Sequence, residues 1–108
     1  MRLASPTDAL AALADPTRRA IFEDLLQGGE QNVRGLTARA RVSQPAVSKH
    51  LAILTRAGLT RARPAGRQTF YRARAEGLKP VVDWLGFHAA FWAERVDHLE
   101  RLLETMDG

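Results

Sequence analysis

The sequence predicts a mainly α-helical domain with a small β-hairpin (α+β), a winged helix-turn-helix flanked by N- and C-terminal helices suited to dimerisation. Three observations carry this. Two short helical stretches meet across about four residues near Arg41. Two arginine-studded, strand-favouring runs follow directly. About thirty residues of helical periodicity then close the chain.

In chain order, the first helix spans Pro6 to Leu13, with Ala9, Leu10 and Leu13 at helical spacing. "ADPTRRAIFEDLLQGG" opens the second, with Asp15 as N-cap and Pro16 in the first turn. Ile21, Phe22 and Leu25 form its apolar stripe, and Gly28-Gly29 stops it. Asn32 is the N-cap of a third helix with Val33, Leu36 and Ala40 inward. Ser43 is the N-cap of a fourth, which runs to about Ala57 before Gly58. This gives a helix-turn-helix over about residues 33–57. The wing, about residues 60–73, has strands Thr60–Arg63 and Gln68–Arg72 around a Pro64-Ala65-Gly66-Arg67 turn.

The last helix, about residues 76–105, would be roughly 45 Å long, more than so small a domain can cover by itself. Gly86 is the point where it could kink. Trp84, Phe91, Trp92, Val96, Leu99 and Leu103, with Leu10 and Leu13 of the first helix, are the expected dimer interface.

At 108 residues the chain is one domain with a thin core, because many of its apolar residues are Ala. It has no Cys, no signal-peptide pattern after Met1 and no apolar run of membrane-spanning length. The expectation is a soluble, cytoplasmic protein without cofactor. No Gly-rich phosphate loop, HExxH motif or Ser–His–carboxylate constellation indicates an enzyme.

Charge is segregated. From Gln31 to Ala75 there are ten Lys and Arg and no Asp or Glu, whereas both flanks are net acidic. Such a basic middle suits a polyanion. On a helical wheel starting at Gln44, Val47, Leu51 and Leu54 share a narrow core face. Pro45, Ser48, Lys49, Ala52 and Arg56 lie opposite, and Gln44 sits at the helix tip. A short polar face with a small residue further along fits a DNA major groove, where Gln pairs with adenine and Ser or Lys reaches bases or phosphate. The expected DNA-binding set is Arg41, Ser43, Gln44, Pro45, Ser48, Lys49, Arg56, Arg67 and Gln68. Ser43 is first of all a cap, and His50, beside the core, is a hydrogen-bonded structural residue.

"LADPTRRAIFEDLL", "LTARARVSQPAVSKHLAILTRAGL", "GRQTFYR" and "DWLGFHAAFWAERVDHLERLLE" together resemble the ArsR/SmtB-type winged-helix repressors, from about Leu10 to Leu103. The resemblance implies a homodimer held by its first and last helices, recognition helices in successive major grooves, and repression of its own or adjacent genes. It points to Gln44, Ser48 and Lys49 for reading DNA and to Arg67 for flanking contacts.

Two departures stand out. Arg41 occupies a turn position where the family commonly has Gly, which marks it as a candidate for left-handed backbone and a phosphate contact. Metal-responsive members use Cys before the recognition helix, or carboxylates and histidines on the last helix. On that helix Asp83, His88, Asp97, His98 and Glu100 are the candidates, but the two histidines are about 280° apart around it. The ending resembles the branch without recognised metal sites. The alternatives are a metal-sensing repressor of the same fold and a nonspecific DNA architectural protein, which would bind any duplex alike.

Overall fold

The computed structural model describes residues 5–107, excluding the side chain of residue 107. The elements run α1 (Thr7–Ala14), α2 (Pro16–Gly28), β1 (Gln31–Asn32), α3 (Val33–Ala40), α4 (Gln44–Arg56), β2 (Thr60–Ala65), β3 (Gln68–Ala73), a 3-10 turn (Ala75–Leu78), α5 (Lys79–Phe87) and α6 (Ala89–Asp107). The architecture is mainly helical with one small antiparallel sheet of order β1-β3-β2.

The boundaries follow local chemistry. Asp15 accepts a hydrogen bond from the Arg18 amide at 2.8 Å and caps α2, with Pro16 behind it. That bond from the Arg18 N–H holds the Asp15 carboxyl below its ordinary pKa. Asn32 caps α3 by accepting from the Gly35 amide at 2.9 Å, and Ser43 caps α4 by accepting from the Ala46 amide at 3.3 Å. Each side-chain oxygen satisfies one of the amides that a helix start leaves unpaired. α2 and α4 end where Gly29 and Gly58 take positive φ, 79° and 80°.

Among the described residues, Arg41, between α3 and α4, is the one non-glycine residue with positive φ (58°). A left-handed L-residue costs roughly 1–2 kcal/mol, and glycine's larger unfolded-state entropy offsets part of any gain from replacing it. Arg41→Gly is therefore expected to stabilise the fold by about 0.5–1 kcal/mol, read as a raised urea midpoint at constant m-value. A lowered midpoint would mean that the Arg41 side chain contributes more than its backbone costs.

The core lies where α1, α2, α3 and α4 meet above the sheet. Ala9, Ala12, Ile21, Phe22, Leu25, Leu36, Val47, Leu51, Leu54 and Leu59 are buried. Val47, Leu51 and Leu54 share one face of α4, as its periodicity requires. Thr60 is buried and polar, and its hydroxyl is paired with that of Thr55 at 2.8 Å.

The structure differs from the sequence reading in three places. Pro64 and Ala65 belong to strand β2, paired with Thr69 and Gln68, so the wing turns on Gly66-Arg67 alone. β2 is an edge strand, where a residue without an N–H is tolerated. Gln31 and Asn32 form β1, a third strand paired with Tyr71 and Phe70. The C-terminal segment is not one helix: Pro80 sits in the first turn of α5, and the helix breaks at His88, two residues beyond Gly86.

The 3-10 turn brings Gly77 against the C-terminal end of α4. A Cβ on Gly77 would overlap the Gly58 carbonyl oxygen and press on the Leu59 Cα. Arg74 closes the same junction, its amide donating to the Leu59 carbonyl at 2.8 Å and its guanidinium to the Gly58 carbonyl at 3.1 Å. From there α5 runs against α1, with Val81 on the core, and α6 leaves the body. The radius of gyration is 17.7 Å, against roughly 13 Å for a globule of this length. Every described side chain of α6 is exposed. Trp92, Val96, Leu99, Leu103 and Met106 recur along it at alternating steps of four and three residues. No helix of the described residues is long and apolar enough to cross a membrane.

Candidate nucleic-acid interface

Capping sets the geometry of the candidate recognition helix. With Ser43 tied to the Ala46 amide, α4 starts at Gln44, and Gln44, Pro45, Ser48, Lys49, Ala52 and Arg56 are exposed opposite the buried stripe. His50 is half-buried on the flank, its Nδ1 3.4 Å from an Arg18 guanidinium nitrogen. Arg18 also donates to the Ala12 and Ala11 carbonyls, so this contact ties α4 to the end of α1.

The wing folds back toward the start of α4. Between them lies an open cleft of about 550 Å³, lined by Asn32, Val33, Arg34, Gln44, Ser48, Arg67, Gln68, Thr69 and Tyr71. Four residues of the sequence-derived set, Gln44, Ser48, Arg67 and Gln68, come together here. Ser43, Pro45 and Lys49 lie on the adjoining first turns of α4, and Arg41 is exposed just before them. Arg56 is exposed at the far end of α4, where it borders a separate groove with Asp8 and Arg18. Arg34, Thr69 and Tyr71 were not assigned to DNA from the sequence, and Asn32 was read only as a helix cap. Arg34 stood only among the basic residues, and the rest reach the cleft through β1–β3 pairing, which leaves no local sequence signal.

The basic segment is partly neutralised from outside. Glu30 meets Arg63 through two bonds of 2.6 and 3.1 Å, and that guanidinium holds the Glu30 carboxyl below its ordinary range. Arg63 also stacks over Phe70 at 5.0 Å. Asp24 binds Arg39 at 2.8 Å, and Glu76 meets Arg74 at 3.3 Å. None of these paired residues lines the cleft. Among the described residues, Arg34, Arg41, Lys49, Arg56 and Arg67 make no ion pair, so the cleft and α4 keep their positive charge, as do Arg61 and Arg72 on the wing.

The apolar set divides. Leu10, Trp84, Phe91, Trp92, Val96, Leu99 and Leu103 are exposed, whereas Leu13 is half-buried on the chain's own core. Some of the candidate metal ligands are engaged locally. His88 lies edge-on to Trp84 at 5.4 Å and to Phe87 at 5.0 Å, and Asp97 binds Arg101 at 2.7 Å. Among the described residues no three of His, Asp or Glu gather as a metal site would require.

A helix-turn-helix domain family model matches residues 13–63. The HTH-type transcriptional regulator Rv2034 of Mycobacterium tuberculosis is 39% identical over 94% of this chain and 91% of its own. The transcriptional repressor SdpR of Bacillus subtilis is 32% identical over 68% of this chain and 81% of its own. The solved ArsR-like transcriptional regulator from Rhodococcus sp. RHA1 superposes with a TM-score of 0.70 at 31% identity, over 89% of this chain and 90% of that one. A wing and a capped recognition helix around one cleft, on a chain this similar to such regulators, place it plainly: it belongs to the ArsR/SmtB-type winged helix-turn-helix transcriptional regulators.

Proposed function

We propose that the protein is a homodimeric, sequence-specific repressor of its own or adjacent genes that acts without a metal signal. The observation that carries this reading is the exposed polar start of α4, with Gln44 and Ser48 opening onto the same cleft as Arg67 and Gln68 of the wing. Gln44 reads a base in the major groove, Ser48 and Lys49 reach bases or phosphate, and Ser43, Pro45 and Arg41 seat the helix start on the backbone. Arg67 enters the flanking minor groove, and Arg56 meets phosphate at the far end of α4.

A second copy covers the apolar stripe of α6 together with Leu10 and Trp84, and sets the two α4 helices one turn of DNA apart, about 34 Å. The packing of His88 between rings and the Asp97–Arg101 pair favour a structural role for the polar residues of α5 and α6.

Fluorescence anisotropy on the gene's own upstream DNA and on a scrambled duplex, across a salt series, tests the reading. The preferred duplex should bind roughly 10³-fold more tightly at physiological salt. Gln44→Ala should lose about 1–3 kcal/mol on that duplex and little on the scrambled one. Arg67→Ala should weaken both and lower the salt slope by about one. Equal affinity for every duplex, with one steep salt slope, identifies an architectural binder instead. A loss of operator affinity on adding zinc identifies a metal sensor.

A further inference from the structure

One amide group serves two elements at the cleft. Asn32 Oδ1 accepts from the Gly35 amide at 2.9 Å, and Asn32 Nδ2 donates to Gln68 Oε1 at 2.7 Å. The first bond decides the orientation of the second. A backbone N–H can only donate, so the Asn32 atom facing Gly35 is the oxygen and the atom facing the wing is the nitrogen. An amide nitrogen in turn needs an acceptor, so Gln68 presents its oxygen to Asn32 and turns its NH2 group away. Gln68 is the exposed first residue of β3, immediately after the Gly66-Arg67 tip, and its Nε2 bonds to nothing among the described residues. The tip thus offers donors from both residues, the Arg67 guanidinium and the Gln68 NH2.

Two side chains presenting donors outward distinguish base pairs in the minor groove. A·T pairs show only acceptors there, whereas G·C adds the guanine amino group, a donor facing a donor. We propose that Asn32 is the positioning residue of the wing, holding the Gln68 NH2 outward so that the tip selects A·T pairs beside each major-groove half-site. This rests on the DNA-reading function above and adds a specificity determinant to it.

The full chain is taken through selection on a random duplex library. Duplexes sharing the enriched core, with A·T or G·C pairs at the wing position, are then compared by competition. The variants are Asn32→Ser, Gln68→Ala, their double and Gln44→Ala. Serine caps a helix about as well as asparagine but is too short to reach Gln68, so the thermal midpoint should stay near that of the unmodified chain.

The unmodified protein should prefer A·T flanks about fivefold, the value of one net hydrogen bond. Asn32→Ser and Gln68→Ala should each reduce that preference to within about twofold, and the double should lose no more than either. Gln44→Ala should weaken the core preference and leave the flank preference intact. An Asn32→Ser protein with undiminished A·T preference overturns the proposal, as does an unmodified protein that enriches a core yet ignores its flanks. Failure to enrich any sequence overturns the DNA-reading function itself, and the inference with it.

Discussion

Leu99→Glu is expected to turn the proposed homodimer into monomers. Leu99 sits midway along the apolar stripe of α6, is 55% exposed in the single chain and touches none of its core. Burying a fully exposed leucine is worth about 1.5–3 kcal/mol, so the half of Leu99 still exposed is worth about 0.8–1.6 kcal/mol, and two-fold symmetry counts the substitution twice. The proposed dimer would therefore lose about 1.6–3.3 kcal/mol, or roughly 10–200-fold in its dissociation constant, before the repulsion of two introduced carboxylates is added.

Glutamate is as good a helix former as leucine to within a few tenths of a kcal/mol, so α6 itself should persist. Sedimentation equilibrium reads the mass directly. Operator affinity should fall with it, because each monomer then engages a single half-site. A variant that stays dimeric at micromolar concentration would show that the α6 stripe is not where two copies meet.

The second large effect is on folding. Gly77→Ala would put a methyl group into the Gly58 carbonyl oxygen. Both sides of that contact are backbone, so no side-chain rotation relieves it, and either the 3-10 turn or the end of α4 must move. Overpacking of this kind costs about 2–4 kcal/mol, and for a domain of this size that lowers Tm by roughly 10–20 °C. The damage should centre on the junction of α4, β3 and α5 held by Arg74, so amides at Leu59 and Arg74 should lose hydrogen-exchange protection first. An unchanged Tm would mean that the 3-10 turn is free to withdraw from α4 at no cost. Gly86, with nothing near its would-be Cβ, is the natural control: Ala there should be tolerated.

These two sites differ in how far the sequence announces them. The stripe of α6 is visible in the chain because its recurrence by threes and fours is local information. So are the caps: Asp15, Asn32 and Ser43 act on amides three residues ahead, and all three are where the sequence puts them. The left-handed turn at Arg41 is legible only through the family resemblance, in which Gly is common at that position.

Gly77 gives no such signal. Its neighbour lies nineteen residues earlier, and only the completed hairpin brings the two together. The same holds for β1, whose two residues have no periodicity and become a strand only by pairing with Tyr71 and Phe70. Of the candidate interface, the exposed face of α4 and the wing tip were readable from spacing and residue type. The contributions of Arg34 and Asn32 were not, because their place in the cleft depends on where β3 returns. The break at His88 was half legible: Gly86 marks the weak point, but the fresh helix start at Lys79, with Pro80 in its first turn, was not read from the sequence.

The wing is braced at several levels before it meets any ligand. Its middle is tied by the Glu30–Arg63 bonds and the stacking of Arg63 on Phe70, its flank by β1, and its tip by Asn32. The entropy of ordering the hairpin is thus settled when the chain folds rather than at each encounter with DNA. Encounter can then be limited by diffusion and orientation instead of by loop closure, and dissociation is governed by contacts broken rather than by a hairpin coming undone.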